Sequence, residues 1–191
     1  MNQAREMTRY VNENTNLECS LYQVLQGAPL GTLTFAFRTE SYAESVAATD
    51  TLIQSDEYMQ KVESGAQYFV GNAQDGLATY LHTTGEVVGA PAAASIVTAT
   101  INLTEAAAAV AWSIELADFM SKLTNVPTAV LSSNFEQYGT IAWLSLGSSL
   151  AQLEEAGDKI NGDAGFAERL RKSGELFLAG TGRSALSRKI G

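Results

Sequence analysis

Gly31-Thr-Leu-Thr-Phe-Ala-Phe-Arg-Thr-Glu-Ser-Tyr-Ala43 reads in parallel with Gly139-Thr-Ile-Ala-Trp-Leu-Ser-Leu-Gly-Ser-Ser-Leu-Ala151. The correspondence continues downstream at an offset of about 108 residues: Asp50 falls on Asp158, Leu52 on Ile160 and Tyr58 on Phe166. With a slip of one residue, Ser64-Gly65 falls on Ser173-Gly174 and, upstream, Thr15-Asn16 on Thr124-Asn125. A match this long implies two copies of one supersecondary unit, which speaks to architecture more directly than to activity.

The second copy is the easier to read. Residues 94–102 (Ala-Ser-Ile-Val-Thr-Ala-Thr-Ile-Asn) are rich in β-branched side chains and predict a strand. Thr104 has the chemistry of a helix N-cap, with Glu105 in the first turn. Val110, Ile114 and Ala117 then form one apolar stripe, and Trp112, Leu116, Phe119 and Leu123 another, so the helix is expected to be buried over a wide face. Strands follow at 127–135 and 139–146, then a helix carrying Leu150, Leu153 and Ile160. Asn161-Gly162-Asp163 interrupts that helix, with Asp163 placed to cap a segment bearing Phe166 and Leu170. Gly180-Thr-Gly182 turns into a last strand over 184–190. The order β-α-β-β-α-β is that of the ferredoxin-like split βαβ unit.

The first copy follows the same plan, with strands at 17–26, 31–38 and 77–83, a helix at 41–54, a break at Ser55-Asp56 and a second helical segment to Ser64. The offset sets residues 1–14 opposite the second copy's first helix, so no counterpart of strand 94–102 is present. Either the first half has three strands or the chain begins at an internal methionine of a longer reading frame. The predicted repeats are 1–84 and 92–191, joined by a junction punctuated by Gly85, Gly89 and Pro91 and forming one compact unit.

Neither Thr-Leu-Thr-Phe-Ala-Phe nor Thr-Ile-Ala-Trp-Leu-Ser alternates cleanly, so both sheet faces are expected to need cover. The expected fold is therefore α+β: tandem ferredoxin-like repeats whose two antiparallel sheets pack face to face as a barrel with helices outside. A first half lacking its outer strand would present a bare edge, which predicts a homodimer.

This plan resembles the dimeric α+β barrel superfamily, and within it fused two-copy members such as NIPSNAP-like proteins and their environmental relatives. The resemblance rests on 139–191, where a strand leads into Gly-Ser-Ser-Leu-Ala-Gln-Leu-Glu-Glu-Ala, a Gly-Asp break, a Phe-bearing helix and a final strand. It implies a ligand pocket between sheet and helices or inside a barrel. The superfamily includes cofactor-independent monooxygenases, small-lactone isomerases and haem-handling enzymes, and the resemblance does not choose among them. An enzymatic activity of this chain, if there is one, is expected to be of the cofactor-independent monooxygenase or isomerase kind.

Composition narrows the function classes. Twelve Lys and Arg against 21 Asp and Glu give a net charge of −9, with no basic patch for a nucleic-acid backbone and little attraction to anionic lipid. Cys19 is the single cysteine, which excludes an intrachain disulfide and a Cys-rich zinc site and suits a reducing cytoplasm. The polar N-terminus lacks the apolar core of a secretory signal, and no apolar run approaches a membrane span.

His82, the single histidine, is the candidate catalytic residue, since imidazole alone among unperturbed side chains changes charge near neutral pH. A hydrogen-bonded strand-end histidine is the plainer reading. Tyr22, Phe35, Tyr80 and Trp143 fall on predicted strands and are candidates to line an apolar pocket for a small apolar or aromatic molecule, against the alternative that they are core. Gly180-Thr-Gly182-Arg183 runs from helix into strand, the wrong context for a phosphate loop, and reads as a turn matching 71–76. Ser148-Ser149 reads as a cap, and no carboxylate or histidine cluster has metal-ligand spacing, so no metal or other cofactor is expected. The two function classes left open are a ligand-binding or cofactor-free enzyme and a catalytically silent structural or interaction module.

Overall fold

The structure, a computed structural model, describes residues 1–71, 73–86, 89–133 and 138–191. The described residues form helices α1 (Asn2–Asn14), α2 (Tyr42–Ile53), α3 (Asp56–Gly65), α4 (Ala106–Thr124), α5 (Leu150–Asn161) and α6 (Ala164–Leu176). The strands are β1 (Ser20–Gln26), β2 (Leu33–Ala36), β3 (Ala78–Thr83), β4 (Ala93–Thr100), β5 (Thr128–Ser133), β6 (Thr140–Gly147) and β7 (Arg183–Lys189). Parts of three sequence expectations lie outside the described residues: positions 134–135 of the strand over 127–135, 87–88 of the junction, and 72 of the 71–76 turn.

The strands form one seven-stranded sheet in the order β2-β1-β7-β4-β6-β5-β3. This overturns the expectation of two antiparallel sheets packed face to face as a barrel. Within the sheet, β7-β4-β6-β5 is the antiparallel order of a split βαβ unit. β7 is held by β4 from Ala93↔Arg188 to Thr98↔Arg183, and β3 pairs with β5 from Ala78↔Ser133 to Thr83↔Ala129. The strands are thus joined edge to edge in one sheet, which leaves no second sheet to face them.

The chain divides into two compact units. Unit 1 comprises Met1–Gln23, Gly31–Gln74 and Lys189–Gly191; unit 2 comprises Val24–Leu30 and Asp75–Arg188.

In unit 1, α1 packs on α2 and α3. Gln3 Nε2 donates to Lys61 O at 3.0 Å and to Ser64 Oγ at 2.9 Å, and the Tyr10 hydroxyl and Ser55 Oγ are 2.6 Å apart. The Asn12 amide grips the backbone of Cys19 at both ends, donating to its carbonyl at 2.9 Å and accepting from its N–H at 2.7 Å. Leu21, fully buried, pairs with Phe35 of β2 and exchanges backbone bonds with Ile190 and Gly191.

In unit 2, Ala109, Leu116 and Ala117 lie on one face of α4, at i, i+7 and i+8, and pack against Val130 of β5 and Ile141 and Trp143 of β6. A second cluster joins Leu153 and Ala156 of α5 to Ala93 of β4 and Val126. The N-terminus of α4 differs from expectation. Asn102 Oδ1 accepts from the N–H and the hydroxyl of Thr104, a 3-10 turn spans Leu103–Glu105, and α4 starts only at Ala106.

The helix caps recur at an offset of 108. Ser41 accepts from the Glu44 N–H and Ser149 from the Gln152 N–H; Ser55 accepts from Tyr58 and Asp163 from Phe166. The N3 side chains also match. Glu44 accepts from the Glu40 N–H at 2.8 Å and Gln152 from the Ser148 N–H at 2.7 Å, so each helix entry is closed from both sides. Bonds from the Thr39 hydroxyl and the Glu40 N–H hold the Glu44 carboxyl below the usual carboxylate range.

Replacing Ser41 or Ser149 by Ala is expected to cost about 1 kcal/mol each in urea unfolding. The two helix entries differ in their response to acid. A lowered folded pKa contributes stability above the unfolded value, and that stability is lost as pH falls through the folded one. Acid should therefore weaken the α2 entry and leave that of α5 unchanged. Glu44→Gln should flatten the acid limb of the stability profile, and an unchanged limb would contradict this assignment.

Candidate functional site

Alternation along the strands of unit 2 separates two faces. Val130, Ile141 and Trp143 point toward α4. Their neighbours point the other way, in rows set by the register: Tyr80-Leu131-Ala142-Thr98 and Ala129-Leu144-Ile96-Ala185. None of these residues belongs to the two helix-packed clusters. Leu131, Ala142, Leu144 and Ile96 are half-buried, and Tyr80 is exposed. Among the described residues the result is a predominantly apolar face that belongs to neither helix-packed cluster, with Ala129 in its second row fully buried, whereas a sheet face turned to water is ordinarily polar.

A β-bulge changes where His82 points. The register steps from Tyr80↔Leu131 to His82↔Val130, so Leu81 is the extra residue and Tyr80 and His82 face opposite sides of the sheet. His82 lies on the α4 side, where its Nε2 is 2.7 Å from Asp118 Oδ1. Its side chain is 30% exposed and that of Asp118 59%. Asp118 orients the imidazole, but solvent screens the pair.

The other sequence candidates are dispersed. Trp143 sits in the α4 core, 6% exposed, with Nε1 donating to Ser113 O at 3.2 Å and its ring 5.9 Å edge-to-face from Trp112 and 5.4 Å from Phe177. Tyr22 is buried and Phe35 exposed, both in unit 1, whereas Tyr80, His82 and Trp143 belong to unit 2. Arg183 spends its guanidinium on Gly180 O and Gly182 O at 2.9 and 2.7 Å, which makes 180–183 a self-braced turn.

Two grooves lie away from these residues. One, of about 600 Å³ in unit 2, runs between Leu150, Leu153 and Glu154 of α5 and Ser184, Ala185 and Leu186 of β7. Gly27 forms part of its wall: with φ of +86° and its Cβ position 1.9 Å from Ser184 O, no other residue fits there. The second, of about 430 Å³ in unit 1, is lined by Arg5, Thr8, Arg9, Asn12, Glu13 and Gly191. Among the described residues no cluster of three or more His, Cys, Asp or Glu could hold a metal ion, and no helix is long and apolar enough to cross a membrane. Sequence patterning missed Asp118, because its link to His82 spans 36 residues between a strand and a helix.

Burial pushes the Cys19 thiol up and, together with the nearby Cys19, the Tyr58 hydroxyl as well. Cys19 is thus an inert core thiol.

No family model matches the sequence, and no curated protein matches it. Its fold does have relatives among solved structures. A putative monooxygenase from Fusobacterium nucleatum superposes with a TM-score of 0.69 at 5% identity, over 100% of this chain and 84% of that one. An anthrone oxidase-like protein superposes at 0.66 with 15% identity, over 98% and 84%. A putative monooxygenase from Lactobacillus acidophilus superposes at 0.52 with 10% identity, over 99% and 87%. At these identities the likeness is one of fold.

Trp143→Ala should cost about 3–5 kcal/mol, as for a core aromatic, whereas His82→Ala should cost less than about 1 kcal/mol, as for a screened pair. Chemical denaturation of the two variants separates these roles. Cys19 should react with a disulfide reagent at pH 8 only after unfolding. Its raised pKa also means that stability falls as pH rises through the ordinary thiol range near ~8.5. Prompt labelling of the native protein would contradict its burial.

Proposed function

We propose that this chain binds or transforms a small apolar or aromatic molecule without a metal, and that the apolar sheet face of unit 2 that carries Tyr80, Leu131, Ala142, Leu144 and Ile96 is where the molecule docks. The observation that carries the reading is the row of half-buried apolar residues, Leu131, Ala142, Leu144 and Ile96, beside Tyr80. Binding sites are typically apolar with a few orienting polar groups, and the Tyr80 hydroxyl supplies such a group. The fold shared with two proteins described as monooxygenases and one as oxidase-like supports a cofactor-independent monooxygenase- or isomerase-like activity.

Within this reading Tyr80 belongs to the binding face, whereas His82, the proton-transfer candidate, is held by Asp118 on the α4 side and faces away from a molecule docked there. Tyr22, Phe35 and Trp143 were the other candidates to line a pocket. The place of Trp143 in the core favours the second reading, a catalytically silent structural or interaction module. The proposal also takes the chain as two diverged repeats, 1–84 and 92–191, in the cytoplasm, with neither nucleic acid nor membrane as partner.

Native mass spectrometry of freshly purified protein is expected to reveal a co-purifying molecule of a few hundred daltons. Leu144→Glu should abolish it while leaving the circular dichroism spectrum unchanged, and His82→Ala should retain binding. A wild-type protein that carries nothing and binds no apolar aromatic probe would favour the silent module.

A further inference from the structure

The two ends of the sheet are not alike. β3, at one end, carries the bulge at Leu81, a device that discourages further pairing. β2, at the other, is Leu33-Thr-Phe-Ala36, with no proline, charge or bulge, and it is paired to β1 on one side only. An edge of this kind is a ready template for another strand.

The second copy shows what such an edge takes. The sequence match and the shared cap positions align β2 with β6, setting Leu33 on Ile141 and Phe35 on Trp143. β6 is paired on both sides, by β5 and by β4. β4 runs antiparallel to it, with Val97 opposite Trp143 and Ala99 opposite Ile141. Trp143 is 6% exposed, whereas Phe35, at the matching place, is 42% exposed.

We propose that the free edge of β2 is a β-augmentation site. Its occupant is an extended, uncharged segment of small and β-branched residues donated by another polypeptide and pairing antiparallel to β2. The incoming strand places a β-branched side chain opposite Phe35 and a small one opposite Leu33, as β4 does on β6. Main-chain hydrogen bonds supply the affinity, and the alternate side chains supply the selectivity. This site is separate from the ligand face of unit 2 and does not depend on it, but it rests on the reading of the chain as two diverged repeats.

The probe is a fluorescein-labelled peptide copying residues 91–102, with two lysines added outside the strand residues for solubility. It is titrated by anisotropy against the full chain, with hydrogen exchange of residues 31–38 as the positional readout. Saturable binding is expected, with protection of 31–38. A peptide carrying Val97→Pro, which removes a ladder donor, should bind at least about tenfold more weakly. Phe35→Lys in the protein should weaken binding similarly with unchanged circular dichroism. Three results would overturn the proposal: no saturable binding, equal binding of the proline peptide, or protection that falls elsewhere than 31–38. Sedimentation showing a dimer whose 31–38 segment is already protected would give the edge to a second copy and would also overturn it.

Discussion

Strand β4 is the element on which unit 2 depends. It is hydrogen-bonded along both edges, to β6 from Ala93↔Gly147 to Thr100↔Thr140 and to β7 from Ala93↔Arg188 to Thr98↔Arg183. A strand with both ladders filled leaves no backbone polar group to water, and its neighbours are shielded in turn. Ala93 gives Leu153 and Ala156 of α5 a surface to pack on. Trp143 of the neighbouring β6 is closed in from the helix side, by Ala109, Leu116 and Ala117 of α4, whereas Phe35, which the sequence match sets beside it, is exposed.

Local structure was legible where the signal is local. The Asn161-Gly162-Asp163 break, the serine caps and the apolar stripes of α4 depend on residues within a turn or two of one another, and each element formed within a few residues of its predicted bounds. The start of α4 was misplaced because Asn102 caps a 3-10 turn over Leu103–Glu105, which takes up Thr104 before the helix begins. Strand partnership is a different kind of information. Nothing in Ala-Thr-Tyr-Leu-His-Thr specifies β5 as the partner of β3, because the choice follows from which edges are vacant once the rest has paired. The expectation of two facing sheets failed on that point.

The candidate site was legible only in part. His82 was singled out for its chemistry, yet its partner, Asp118, sits on a helix 36 residues away. A strict period of two places Tyr80 and His82 on one face; the bulge at Leu81 turns them apart, and no residue in that stretch is a glycine or proline that would have marked it. Tyr22 and Phe35 fall in unit 1, and Tyr80 and Trp143 in unit 2, a division that no local pattern in the sequence marks.

The composition of unit 1 bears on how the chain is made. Most of it comes from the first 74 residues, yet Leu21 takes backbone bonds from Ile190 and Gly191, and the Arg5 guanidinium closes on Ile190 O at 2.9 Å. Domains ordinarily fold in the order in which they leave the ribosome, at about 5–20 residues per second. Here Asp75–Arg188, 114 residues, must be synthesised between the bulk of unit 1 and its closing segment, an interval of roughly 6 to 23 s at that pace. Through that time the backbone of Leu21 lacks its final partners. The larger part of unit 1 is thus made before unit 2 and completed after it, so it needs shelter from aggregation while the chain is growing.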